Sequence, residues 1–164
     1  MYGNTVGSRS KCDIAYIAGF LDGDGSIMLQ IKKRKDTARG FRFMATICLY
    51  QDTRHEQPLH WVREVLGIGY VARRNDSISE LRINGFRRVR DILTHLQPYV
   101  RFKQAQVRAM IKATDTLATI PFSQLTDAQI IDLVELVLTV QNENYSAQRK
   151  RTKSKLLKQL GLTP

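Results

Sequence analysis

The feature that most restricts how this chain folds is a change of hydrophobic period just before Gly25. Up to that point the apolar residues Ile14, Ile17, Ala18 and Leu21 recur at three- and four-residue intervals, the spacing of one helix face. Beyond it the period drops to two, with Ile27, Leu29 and Ile31 alternating with Met28, Gln30 and Lys32. After a charged loop the alternation resumes, with Phe41, Phe43, Ala45, Ile47 and Leu49 set against Arg42, Met44, Thr46, Cys48 and Tyr50. Two such runs predict strands with one face on a core and the other exposed. The helix must therefore stop near Gly23 or Gly25, where consecutive Asp-Gly pairs break the helical pattern.

The rest of the chain follows the same logic. Ser10-x-x-Asp13 reads as a capping box that opens the first helix, and residues 1–9 read as a polar arm before it. Pro58–Leu66 is a second helix ended by Gly67, and Tyr70–Arg74 with Ser79–Ile83 form a shorter strand pair. Phe86, Val89, Leu93 and Leu96 mark a helix that Pro98 terminates, and Lys103–Leu117 is another. Thr126-x-x-Gln129 caps an apolar helix that runs to about Gln141, and Lys153–Leu160 is a basic helix ended by Gly161. The predicted order is αββαββα followed by further helices. This is an α+β fold with one four-stranded antiparallel sheet, formed by residues 10–164 as one domain with a basic C-terminal segment at 145–164. The first-helix motif has no second copy, so two-fold symmetry has to come from dimerisation.

Charge narrows the class of partner. The chain has 26 Lys and Arg against 15 Asp and Glu, a net charge of +11, which is the electrostatic footprint of a nucleic-acid binder. From Ala113 to Gln148 there is no Lys or Arg, while Asp115, Asp127, Asp132, Glu135 and Glu143 fall there. Basic residues crowd instead into Lys32–Arg42, Arg73–Arg90 and Arg149–Lys158, so the binding surface is directional. The apolar stretches fall well short of the roughly 20 residues of a membrane helix. With no secretory leader and no metal or disulfide spacing at Cys12 and Cys48, an intracellular protein is expected.

Asp22-Gly23-Asp24-Gly25 carries the chemistry. Two carboxylates at a helix-to-strand turn suit a hard divalent metal, although on spacing alone an ordinary turn is the favoured reading. A calcium loop of the EF-hand type is excluded, because counting from Asp22 the positions for its Gly and Glu hold Ile27 and Lys33.

Ile17-Ala18-Gly19-Phe20-Leu21-Asp22-Gly23-Asp24-Gly25 resembles the motif of the LAGLIDADG homing endonucleases. Gly67–Val71 and Leu96–Gln104 resemble further segments of the single-motif, homodimeric members of that family. The resemblance implies that motif helices of two subunits pack together through Ile17, Ala18, Gly19 and Leu21. It implies that Asp24 and the Gly23 carbonyl hold Mg²⁺ or Mn²⁺ beside DNA, with Asp22 capping or buttressing the turn. It implies further that one phosphodiester is hydrolysed in each strand of a long pseudo-palindromic site, leaving 3′ overhangs. Gln51 and Lys103 match the polar and basic positions around the reacting phosphate. His55 stands where a relative carries arginine, with Arg54 beside it as the other candidate. The host compartment is then an organelle, chloroplast or mitochondrion, or a prokaryotic cytoplasm. The rival readings on the same fold are an RNA maturase and a DNA-binding protein that does not cleave.

Strand parity picks out the side chains that face a DNA major groove. They are Met28, Gln30, Lys32 and Arg34, then Arg42, Met44, Thr46 and Cys48, and on the second pair Tyr70, Arg74, Glu80 and Arg82. The strand loop Lys35–Gly40 and a tail including Ser146, Arg149, Lys150 and Thr152 are assigned to phosphates.

Overall fold

In a computed structural model of the protein, which describes residues 9–37, 39–144 and 151–163, the period change lies at a direct helix-to-strand junction. Helix α1 (Lys11–Asp24) opens at Ser10, whose hydroxyl accepts the Asp13 amide proton at 3.0 Å. It closes at Gly25, whose amide donates to the Leu21 carbonyl. A Cβ at Gly25 would lie 2.8 Å from Leu21 backbone atoms, so only glycine lets strand β1 (Gly25–Lys33) leave the helix without a loop.

Strand β1 pairs antiparallel with β2 (Phe41–Asp52), and a short 3-10 turn at Thr53–His55 leads into α2 (Gln57–Leu66). Gly67, at φ +68°, ends α2 in the left-handed region that its sequence position predicts. Strands β3 (Tyr70–Arg73) and β4 (Ile78–Asn84) complete one antiparallel sheet of order β1-β2-β4-β3. Helices α3 (Phe86–Leu96), α4 (Gln104–Thr119), α5 (Asp127–Asn142) and α6 (Lys153–Gln159) follow. The capping box at Thr126 and Gln129 forms in both directions. The architecture is α+β, as expected. Among the described residues no helix is long and apolar enough to cross a membrane.

The sheet buries the face that parity assigns to the core. Ile27, Leu29 and Ile31 join Phe43, Ile47, Leu49, Leu81 and Ile83 beneath side chains of α1, α3, α4 and α5. The outer edge of β1 is covered at two carbonyls: Asn144 donates to Ile27 at 3.3 Å and Arg151 to Ile31 at 3.5 Å. Such capping blunts a strand edge that would otherwise recruit another chain. The acidic residues Asp115, Asp127, Asp132, Glu135 and Glu143 are exposed on α4, on α5 and just beyond it.

One expectation needs correction here. Ile17, Ala18 and Leu21 are wholly buried in the chain's own core, so they are not available to a second copy. The periodicity correctly marked one face of α1 as buried, but what buries it is the protein's own sheet and α3. The outward stripe of α1 is Cys12, Tyr16, Gly19 and Gly23, and of the four residues expected at a subunit contact only Gly19 belongs to it. Tyr16 is 64% exposed and packs edge-on against Trp61 with ring centroids 5.6 Å apart.

Glu56, at the head of α2, ties that helix to the β3–β4 hairpin. Its carboxylate accepts from the Arg73 guanidinium at 2.7 Å and from the buried Ser79 hydroxyl. Arg73 first, and Ser79 second, hold the Glu56 carboxyl down at about 2. Because the folded-state value lies below the unfolded one, this stabilisation is complete above about pH 4.5 and disappears as pH falls towards about 2. Glu56→Gln is therefore expected to be less stable than the parent at pH 6, with the difference closing as pH is lowered, in urea titrations run across that range. Leu21→Ala is expected to cost about 2–5 kcal/mol in the same measurement, as a large-to-small change in a closed core.

Candidate active site and nucleic-acid interface

The end of α1 meets the start of α4 through one carboxylate. Asp22 Oδ2 accepts the amide protons of Arg101 at 2.6 Å and Phe102 at 3.2 Å, while Oδ1 accepts that of Lys103 at 3.0 Å. These amides belong to the three residues that lead into α4, and the positive end of that helix's dipole favours an anion there. Asp22 is only 8% exposed, and this contact occupies it completely as a structural group.

Lys103 turns back towards the same junction. Its ammonium donates to the Asp22 carbonyl oxygen. Burial pushes its pKa down, and the negative charges of Asp22 and Asp24 oppose that shift. Lys103 and Asp24 therefore share one electrostatic neighbourhood. Asp24 itself is exposed, and among the described residues no protein donor is hydrogen-bonded to its carboxylate.

Asp24 occupies the last position of α1, at the carbonyl end of the helix dipole, and that last turn carries no basic side chain. An exposed carboxylate among outward-pointing carbonyl oxygens, that of Gly23 included, is a donor set suited to a hard, oxygen-seeking cation. The set is partial. Among the described residues no three His, Cys, Asp or Glu side chains converge to hold an ion.

Gln51 lies on β2 two residues past Leu49, which pairs with Gly25, so it sits at the sheet end nearest the α1 terminus. Its Oε1 accepts the Asp52 amide proton at 2.9 Å. Arg54 and His55 follow in the exposed 3-10 turn. The Arg54 guanidinium grips Asp52 at 3.0 and 2.8 Å, and this pairing holds the Asp52 carboxyl down at about 2. Of the two candidates for the basic position, Arg54 is thus already committed to a carboxylate.

The strand residues chosen by parity share the sheet face turned away from the core, while Arg34 and Arg74 lie just past the ends of β1 and β3. Met28 lies opposite Thr46 and Gln30 opposite Met44, and Lys32 faces Arg42. Across β4, Cys48 and Tyr70 flank Arg82, and Tyr50 and Ala72 flank Glu80. Gln30 and Lys32 are exposed and Tyr70 is half exposed, while Met28, Arg42, Met44 and Arg82 are partly covered. Arg34 and Arg74 are each paired with an aspartate two residues on, Asp36 and Asp76.

Three of the predicted reading residues are corrected. Thr46 is 3% exposed and donates to Asn84 Oδ1 at 2.8 Å, Cys48 is fully buried, and Glu80 is 7% exposed beneath arginines. Parity names the face of a strand but not how far neighbouring side chains reach over it. Burial also pushes the Cys48 thiol up, so it lies in the floor of this face as a neutral group. Ser26, Tyr50, Ala72 and Asn84 share the face and were not singled out, although the same parity marks them. Thr152 uses its hydroxyl to cap α6, accepting from Lys155 at 3.3 Å. Ser146, Arg149 and Lys150 lie outside the described residues.

The LAGLIDADG endonuclease family model matches residues 17–113, from within α1 to within α4. The chain belongs to the LAGLIDADG endonuclease family. Within it, the chain is 30% identical to the DNA endonuclease I-CvuI of Chlorella vulgaris over 93% of its own length and 94% of that protein's. It is also 30% identical to the DNA endonuclease I-CreI of Chlamydomonas reinhardtii, over 85% and 83%. A crystal structure of I-CvuI in complex with its target in 2 mM Ca superposes with a TM-score of 0.82 at 26% identity, covering 94% of this chain and 98% of that one. A second I-CvuI structure, TM-score 0.81 at 25% identity with the same coverage, holds the I-CreI target in 2 mM Mg with the DNA not cleaved. The I-SmaMI homing endonuclease bound to cleaved DNA shares the fold at 20% identity and TM-score 0.72, and there 93% of this chain spans 49% of that one.

The two aspartates of the motif are expected to separate cleanly in stability measurements. Asp22→Ala strands the amides of Arg101, Phe102 and Lys103 and should cost about 1–3 kcal/mol in denaturant unfolding. Asp24→Ala, at an exposed carboxylate, should stay within about 0.5 kcal/mol of the parent.

Proposed function

We propose that the protein is a site-specific endonuclease that cuts both strands of double-stranded DNA as a homodimer with Mg²⁺ or Mn²⁺. The single observation that carries this reading is Asp24. Its carboxylate is exposed and, among the described residues, has no hydrogen-bond donor on it, beside the Lys103 ammonium and at the edge of a basic open sheet. Asp22, two residues away, is consumed by structure, so Asp24 is the group left for chemistry.

One chain offers one such carboxylate, and hydrolysis of two strands needs the arrangement twice. The outward stripe of α1 supports pairing there: nothing lies within 4 Å of a Cβ placed at Gly19 or Gly23, so two helix backbones can approach closely along it. Pairing along this stripe would bring the two Asp24 residues, each at a helix end, to the same side of the axis. The I-SmaMI chain, about twice the length of this one, leaves room for a second unit of the same size. The divalent ions named with the I-CvuI complexes support an ion at the Asp24 and Gly23 oxygens. Bound there, such an ion supplies Lewis-acid polarisation of the phosphate and a water acidic enough to attack it.

The chain's own residues do the rest. Asp24 anchors the site to the rigid end of α1, which Asp22 locks to α4. Lys103 brings a positive charge to the phosphate as charge builds on its oxygens. Gln51 presents a carboxamide to the solvent near the scissile bond, and His55, on the exposed turn, offers an imidazole where Arg54 is engaged by Asp52. The open sheet enters the major groove, with Gln30, Lys32, Tyr70 and Arg82 towards base edges. Cutting across the adjoining minor groove leaves 3′ overhangs.

The test is selection of cleaved molecules from a randomised duplex library in Mg²⁺, with sequencing of the ends. A defined pseudo-palindromic site with 3′ overhangs is expected, and chelation of the metal should abolish cutting. Asp24→Asn should bind the selected site yet cut it at least about a hundredfold more slowly. Undiminished cutting by Asp24→Asn would overturn the catalytic assignment. Gly19→Leu should sediment as a monomer and bind only weakly, and an unchanged dimer would remove α1 from the interface.

A further inference from the structure

Glu80 is an acidic group buried in the one face of the molecule that phosphates approach. Its side chain is 10% exposed. Arg82 donates to its Oε1 through Nε at 3.0 Å, and its Nη2 lies 2.9 Å from the same oxygen as an ion pair. Arg74 closes the other side, with Nη1 at 4.0 Å from Oε2. The sheet register explains why the carboxylate fits there: on β3 the residue opposite Glu80 is Ala72, whose small side chain leaves the space that the two arginines close over.

This geometry constrains Arg82 more than Arg74. A guanidinium has five N–H groups, and Glu80 takes the Nε edge of Arg82. The terminal edge, formed by Nη1 and the second proton of Nη2, remains for another partner, and Arg82 is still 33% exposed. A terminal guanidinium edge held in a fixed plane matches the paired acceptors O6 and N7 of guanine in the major groove. Arg74 is held differently, with Nη2 on Asp76 at 2.8 Å and Nη1 turned towards Glu80.

We infer that Glu80 is a positioning residue for sequence specificity, which contacts no base itself and fixes the plane of Arg82 so that its free edge reads guanine. The inference rests on the assignment of the open sheet to DNA. A flexible arginine at this position would bind phosphate or base indifferently, and the buried carboxylate removes that freedom while cancelling one positive charge of non-specific attraction.

The experiment is the randomised-library selection, run side by side on the full-length wild type, Glu80→Gln and Arg82→Ala, with affinity for an unrelated duplex measured on each. For Glu80→Gln the expected result is a loss of guanine preference of roughly fivefold or more, confined to the base pairs at which Arg82→Ala also loses it. Its affinity for the unrelated duplex should rise, because an acidic charge has left the face. A merely structural role would instead lower affinity for every sequence together, and that outcome overturns the inference. So does an unchanged profile for Glu80→Gln beside a wild type that selects a site. If the wild type selects no sequence, the DNA-reading assignment itself fails. Should Glu80→Gln not fold, Glu80→Asp, which keeps the charge but draws the carboxylate back from Arg82, takes its place: an unchanged guanine profile overturns the inference, and a loss confined to the base pairs that Arg82→Ala affects supports it.

Discussion

The contact between the Asp22 carboxylate and the amides of Arg101, Phe102 and Lys103 joins the end of α1 to the start of α4. It satisfies the backbone donors of the turn that leads into α4, and it sets a negative group at the positive end of that helix. Through it the end of α1 acquires a fixed position relative to Lys103, whose own ammonium returns to the Asp22 carbonyl. Asp24 and Lys103 thus depend on Asp22 for their mutual placement. Two acidic residues separated by one glycine divide the work, one spent on structure and the other left exposed at the helix end.

The sheet serves as a frame with unequal faces. One is sealed by aliphatic side chains beneath the helices, and the other carries cations, amides and aromatic rings. On the open face the charges are not loose. Arg34, Arg74 and Arg82 are each paired with a neighbouring carboxylate, and Lys32 lies directly across from Arg42. Paired arginines have fewer orientations to lose when DNA binds, which favours discrimination over general attraction. Gln30, Lys32 and Tyr70 are the exposed strand residues of that face.

Much of this was legible in the residues, because it depends on near neighbours. The Ser10 and Thr126 caps, the glycine ends at Gly25 and Gly67, and the alternation along β1 and β2 involve groups only a few positions apart. The candidates Asp24, Gln51 and Lys103 came from resemblance, and their shared end of the fold follows from strand register and from the α1–α4 contact. The partner of Asp22 was not legible, since it lies 79 to 81 residues away along the chain. Nor was the outcome at Thr46, Cys48 and Glu80: their face follows from parity, while their burial depends on how long arginine and tyrosine side chains fold across them.

The helix α1 separates the two kinds of information. The sequence by itself determined that a helix ends at the Asp-Gly-Asp-Gly turn and that one side of it is apolar, because spacing and glycine chemistry act locally, and the structure fixed its end at Gly25. Tertiary structure alone decided that Ile17, Ala18 and Leu21 serve the chain's own core and that Gly19 and Gly23 face outward. It also decided that Asp22 belongs to α4 and left Asp24 exposed. The reason is that periodicity states which residues share a face, whereas the surface that covers the face is built by elements distant in the chain.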